Sequence, residues 1–255
     1  MPASLFHLAF PPSEGGVYAI LPGDPGRVPA IAALLDDPHP IAQNREYNTW
    51  AGTLRGQRVL VCSTGIGGPS AAIAVEELYM AGARTFLRVG TCGGMQLGVE
   101  SGDLIVAASA VRDEGTTAHY APEGYPAAAD FAVTRALWDA AAAFGARRHI
   151  GVVQSKDSFY GQHDPGRMPV HARLAERWDA WGRLGVLASE MEAAAIFTAA
   201  AALRARAGCV LLAVWNQERG AAGRPNPEVH DISAVIRVAV GATVALIEAD
   251  RCGDK

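Results

Sequence analysis

Along the chain, short aliphatic and β-branched runs alternate with alanine-rich stretches in which apolar residues recur at helical spacing. The runs at 17–21 (VYAIL), 57–63 (QRVLVCS), 85–89, 103–110, 151–154 and 208–215 predict strands. The last is almost wholly apolar, the pattern of a strand covered on both faces. Helices are predicted over 28–35, from the turn ending at Ser70 to about Ala81, and over 131–144, 171–181 and 232–248. A further helix is predicted to start near Ser189 or Glu190 and run to about Arg204. Pro29 fits the first turn of its helix, where its missing N–H costs nothing, and Asp231 is placed to cap the last one. Residues 155–170 and the Gly-, Pro- and Asn-rich stretch 217–227 are left as polar connections. No repeat or linker divides the chain, so one α/β domain over 1–255 is expected.

Composition narrows the function classes. With 255 residues, 50% hydrophobic and 19% charged, the chain can bury a large core and is not disordered. A formal net charge of -4 gives no electrostatic reason to expect nucleic acid as a partner. The cysteines at 62, 92, 209 and 252 form no CxxC pair and have no zinc-finger spacing, which argues against a metal or disulfide framework. Cys62 and Cys209 lie in apolar runs and read as small buried hydrophobes. The first ten residues lack the basic and apolar regions of a signal peptide, and the apolar run 193–203 is too short to span a bilayer. The expectation is a cytoplasmic protein with no membrane partner.

Three strands each lead into a glycine-bearing segment: GDPGR, TGIGGPS and RVGTCGG. Ligands of open α/β sheets collect where strands end, and glycine lets the backbone approach an anion closely. Each segment alone could equally be a tight turn. None fits a P-loop or a dinucleotide fingerprint. Arg88 stands between Leu87 and Val89 in an apolar strand, so its guanidinium must pair with a carboxylate or with a bound anion. Arg27 and Arg45 also flank turns, and three forked guanidinia could hold one phosphate. Ser189-Glu190-Met191-Glu192 has two readings. Ser-x-x-Glu is a capping box, the reading that spacing favours; a carboxylate there could instead bind the 2′- and 3′-hydroxyls of a ribose.

Taken in order, GDPGR, NREYNTW, STGIGGPS, RVGTCGG, KDSFYGQ and SEMEAAA resemble the motifs of the nucleoside phosphorylases with the hexameric purine-phosphorylase-like fold, with the uridine phosphorylase branch nearest. The likeness runs from about His7 to Asn216. It implies a central mixed β-sheet flanked by helices. It also implies a phosphate site formed by Gly23, Arg27, Arg88 and Thr91, with Arg45 lent by a neighbouring subunit. His7, also lent across the interface, would hold the ribose 5′-hydroxyl; Glu190, Met191 and Glu192 match the ribose-binding stretch, with Glu192 on the diol. Phe159 matches the aromatic packed on base and sugar, and Gln162 the amide that reads the uracil edge. Glu46, Ile66 and Ser70 match positions that in some members hold a potassium ion between two subunits. No cofactor is implied beyond inorganic phosphate as co-substrate, and the implied assembly is a hexamer built of dimers.

The implied reaction is phosphorolysis of uridine or a related pyrimidine nucleoside, in which phosphate attacks the sugar carbon and uracil leaves. Two positions depart from the pattern. Enterobacterial-type members carry an arginine two residues after the base-reading glutamine, where this chain has Asp164. A second base-side arginine is displaced, Asn216 being followed by Gln217 and Glu218 before Arg219, which leaves Arg167, Arg219 or His163 as replacements. The purine branch generally places an aspartate about where Asn216 stands, and an amide cannot donate a proton as that acid does. The alternatives are a purine nucleoside phosphorylase, a nucleosidase that uses water, and a non-catalytic nucleoside-binding protein.

Overall fold

A computed structural model describes residues 3–253. In chain order its strands are β1 (Tyr18–Pro22), β2 (Asp36–Asn44), β3 (Tyr47–Leu54), β4 (Gln57–Cys62), β5 (Thr85–Gly94), β6 (Leu104–Asp113), β7 (Ala127–Ala128), β8 (Arg148–Lys156), β9 (Ala188–Glu190) and β10 (Arg206–Asn216). Its helices are α1 (Val28–Ala32), α2 (Gly68–Met80), α3 (Phe131–Ala143), α4 (Phe159–His163), α5 (His171–Arg183), α6 (Ala193–Ala202), α7 (Gln217–Ala221) and α8 (Ser233–Gly253). Among the described residues, no helix is long and apolar enough to cross a membrane.

All the strands join one mixed sheet centred on β5, which runs parallel to β1 and β10 and antiparallel to β9. The pairings β5–β10, β10–β6, β6–β8, β8–β9 and β9–β5 close that half of the sheet into a ring. The other half continues through β1, β4 and β3 to the edge strand β2. The apolar pattern of β10 has the cause its sequence suggests. Cys209, Leu211 and Ala213 pack into one core with α2 and α6, while Val210 and Leu212 enter a second core with α3 and α8. Successive side chains of a strand point to opposite faces, so a strand with a core on each side must be apolar throughout.

Several elements differ from the sequence expectation. The RVGTCGG segment is not a turn. β5 continues through it, because Gly93 and Gly94 pair with Ser189 and Ala188 of β9 and with Trp215 and Asn216 of β10. A Cβ on Gly94 would lie 2.6 Å from Asn216 Nδ2, so only glycine permits that approach. Ser189 does not cap a helix; it lies in β9, and α6 begins at Ala193. The Glu190 carboxylate takes the capping role, accepting the backbone N–H groups of Glu192 (2.9 Å) and Ala193 (3.0 Å). The β2–β3 hairpin was not expected: β2 is an exposed edge with Pro38 and Pro40, and shows no alternation to read. The polar stretch 155–170 holds the short α4, α1 stops at Ala32, and α8 extends to Gly253.

Candidate active site

The ends of the parallel strands β1, β5 and β10 open into a cleft of about 1050 Å³. Its first wall is the turn after β1. There Asp24 caps its own turn by accepting Gly26 N–H at 2.8 Å, and Gly65 N–H bonds Gly23 O at 2.9 Å, which sets the two glycine turns against each other. A Cβ on Gly23 would lie 3.1 Å from Gly65 O. Gly23, Arg27, Arg88 and Thr91 all line the cleft. Arg27 has only a long contact of 3.8 Å to Asp24. Burial lowers its pKa, Asp24 opposes this, and the nearby charge of Arg88 lowers it further. Two guanidinia close enough to repel each other make a natural anion site.

Arg88 is buried and meets the first possibility left open for it, pairing with carboxylates. Its Nε donates to Glu190 Oε2 at 2.9 Å and its Nη2 donates to Glu192 Oε2. Its Nη1 is buried and, among the described residues, has no hydrogen-bond partner. Desolvation works against the charged form, but the carboxylates of Glu192 and Glu190 outweigh it and hold the pKa up. The two glutamates are spent differently. Glu190 accepts Arg88 Nε, the Ser155 hydroxyl and the two helix-end N–H groups, which leaves little of its acceptor capacity. Glu192 accepts only Gly67 N–H (2.6 Å) and Arg88, so it keeps lone pairs for a ligand. Burial raises the pKa of Glu192, with Arg88 as the main opposing charge. Met191 lines the cleft beside them.

The far wall is aromatic. Phe159, half exposed on α4, stacks on His163 at 4.2 Å, and His163 lies 6.2 Å from Trp215. Phe159, His163 and Trp215 line the cleft, as do Glu228 and His230. Gln162 is held just behind this wall: Ser189 Oγ donates to its Oε1 at 2.7 Å, and its Nε2 donates to Gln217 Oε1 at 3.4 Å. The proposed replacements Arg167 and Arg219 do not reach the cleft. Arg167 pairs with Asp164 at 3.2 Å and lies over Tyr160, while buried Arg219 donates to Leu97 O and Pro225 O. Asn216 is also turned away; its Nδ2 donates to Gln96 O and Val99 O, both at 2.8 Å, and its Oδ1 caps α7.

Sequence reasoning missed Lys156. Buried at the end of β8, it lines the cleft and donates from Nζ to Ser189 Oγ at 2.7 Å. Burial pulls its pKa down to about 8 against the charges of Glu190 and Glu192. The available signal was a lone lysine just after the apolar strand run, since Lys156 and Lys255 are the only lysines in the chain.

Two of the sequence-predicted residues stand apart. Arg45 is exposed in the β2–β3 turn with φ 54°, and His7 binds Glu77 Oε1 through Nδ1 at 2.7 Å. Asn44 Nδ2 donates to His7 O at 2.8 Å, so both sit on one stretch of surface, and neither lines the chain's own cleft. Of the cation candidates, Glu46 Oε1 accepts the Ser70 hydroxyl at 2.6 Å, and Ile66 is 79% exposed. Among the described residues, no group of three or more His, Cys, Asp or Glu side chains is arranged to hold a metal.

Residues 17–249 match the family model described as Phosphorylase superfamily. The chain is 51% identical over 245 residues to the uridine phosphorylase of Treponema pallidum, covering 96% of this chain and 95% of that protein. It is 48% identical over 223 residues to the uridine phosphorylase of Thermococcus kodakarensis, covering 86% and 80%. It is 41% identical over 242 residues to the guanosine phosphorylase of Halorubrum lacusprofundi, covering 91% and 96%. A match spanning both glycine turns, Arg88 and the Glu190–Glu192 stretch, on the fold expected of them, places the chain in the phosphorylase superfamily.

Proposed function

We propose that this chain catalyses the phosphorolysis of uridine or a related pyrimidine nucleoside, giving uracil and ribose 1-phosphate. The observation that carries the reading is the unpartnered Nη1 of buried Arg88, in the same cleft as Arg27, Thr91 and Glu192. A buried cationic donor left over after two ion pairs calls for an anion, and the adjoining carboxylate with spare acceptor capacity suits a vicinal diol. The uridine phosphorylases among the relatives support the choice of base.

Phosphate held by Arg27, Arg88 and Thr91 is positioned to attack the ribose C1′. Its negative charge stabilises the oxocarbenium-like carbon as the bond to uracil lengthens. Glu192 holds the diol, and Glu190 fixes Arg88 and the Glu192 backbone from behind. Phe159 and Trp215 cover the base, and Gln162, which does not itself line the cleft, is bonded to the cleft-lining Ser189. No step needs a covalent enzyme intermediate or a cofactor. Arg45 and His7 complete a neighbouring subunit's cleft in a dimer-built hexamer. Glu46, Ile66 and Ser70 offer an interface position for potassium, and the cytoplasm is the proposed compartment.

The guanosine phosphorylase among the relatives supports a second reading, purine phosphorolysis. Asn216, turned away from the cleft, does not speak against it. Uridine, thymidine, inosine and adenosine turned over side by side with phosphate separate the two: uridine is expected to be fastest, and faster inosine would reverse the choice. Base release undiminished without phosphate would indicate a nucleosidase, and binding without any turnover a non-catalytic protein.

A further inference from the structure

Every arginine candidate for the base side of the cleft is spent elsewhere, on Asp164 or on backbone carbonyls. Among the described residues, one cationic side chain remains there. Lys156 Nζ lies 6.0 Å from the Phe159 ring centre and is fixed by one hydrogen bond, to Ser189 Oγ, so two of its three N–H donors are left for the cleft. The bond also sets a direction. Lysine can only donate, so the Ser189 hydroxyl gives its own proton to Gln162 Oε1, which turns the amide oxygen toward Ser189. Lys156 Nζ and Gln162 Nε2 are therefore both donors. The chain meets its other cationic needs with arginine, and a compact ammonium on a flexible stem stands only here and at Lys255.

We propose that Lys156 donates a hydrogen bond to the carbonyl oxygen at C4 of the leaving pyrimidine, and thereby selects bases with a keto oxygen at that position over those with an amino group there. The inference rests on the phosphorolysis reading above. As C1′–N1 breaks, its electron pair stays on the base and spreads onto the carbonyl oxygens, while a phosphate oxygen bonds C1′. Lys156 keeps its proton and stabilises that oxygen. The proton that phosphate gives up on becoming an ester balances the one the free base takes. An amino group at the same place would set donor against donor.

The charged and titratable groups facing Nζ are Glu190 and Glu192 beside β9, Cys92 on β5, Asp113 on β6 and His163 on α4. The carboxylates favour the ammonium and burial opposes it, so the cationic form is lost as pH rises through about 8. The test measures kcat and KM for uridine, 5-fluorouridine and cytidine across pH with wild type, Lys156→Met and Lys156→Arg. Lys156→Met is expected to lose roughly 100-fold on uridine, mostly in kcat. The loss should be smaller on 5-fluorouridine, whose base leaves more easily, and the uridine-to-cytidine preference should narrow. Lys156→Arg should keep most activity and hold it to higher pH than wild type. Uridine ionises in the same range, so the readout is the difference between enzymes rather than the limb itself.

Lys156→Met within threefold of wild type would overturn the proposal. So would an equal loss on all three substrates in both variants, with an unchanged pH profile, which marks a purely structural lysine. Wild type inactive on uridine but active on inosine would defeat the pyrimidine reading instead, and inosine against adenosine then becomes the keto–amino pair.

Discussion

Arg88 shows how one side chain can serve both the fold and the proposed phosphate site. Its ion pairs with Glu190 and Glu192 are buried, so truncation strands two carboxylates as well as removing a phosphate donor. Arg88→Ala is therefore expected to destabilise the fold by roughly 3–5 kcal/mol as well as abolish turnover. Arg27 separates the two effects, having only the long contact to Asp24. Arg27→Ala should raise the KM for phosphate about 10-fold or more, the worth of one charge-assisted hydrogen bond, with an unchanged thermal midpoint. A melting curve and a phosphate titration check both. At this scale Arg88 could be singled out because an arginine in an apolar strand demands an explanation. Lys156 was not, because the sequence places it in a polar connection rather than at the buried end of a strand.

Among the elements, β10 could be read from its unbroken apolar run and α2 from the helical spacing of its apolar residues. β2 left none, and the β5–β9 pairing arises from glycines that look like a turn in sequence. The Ser189–Glu192 capping box was the more economical reading of its spacing. The structure gives the capping work to Glu190 because β9 carries Ser189 away to Lys156 and Gln162. The end of β10 yields its own prediction. Asn216→Asp, the change that mimics the purine branch, would set a carboxylate oxygen against Gln96 O and Val99 O. It should cost roughly 2 kcal/mol of stability and leave the uridine-to-inosine ratio unchanged. Denaturant unfolding and the nucleoside panel read the two outcomes.

For the whole molecule, the placement of His7 and Arg45 outside the chain's own cleft makes the assembly part of the proposed function. The resemblance made both residues legible, but a single chain does not contain the surface they would serve. Sedimentation is expected to give a dimer or a larger assembly, and Arg45→Ala to weaken phosphate binding although it alters nothing in its own cleft. A fully active monomer would contradict both roles. The central claim, that the cleft uses phosphate rather than water, is tested most directly by the sugar product formed from uridine. Ribose 1-phosphate should appear one for one with uracil, and uracil release should stop when phosphate is removed. Free ribose, formed at the same rate with or without phosphate, would contradict the account.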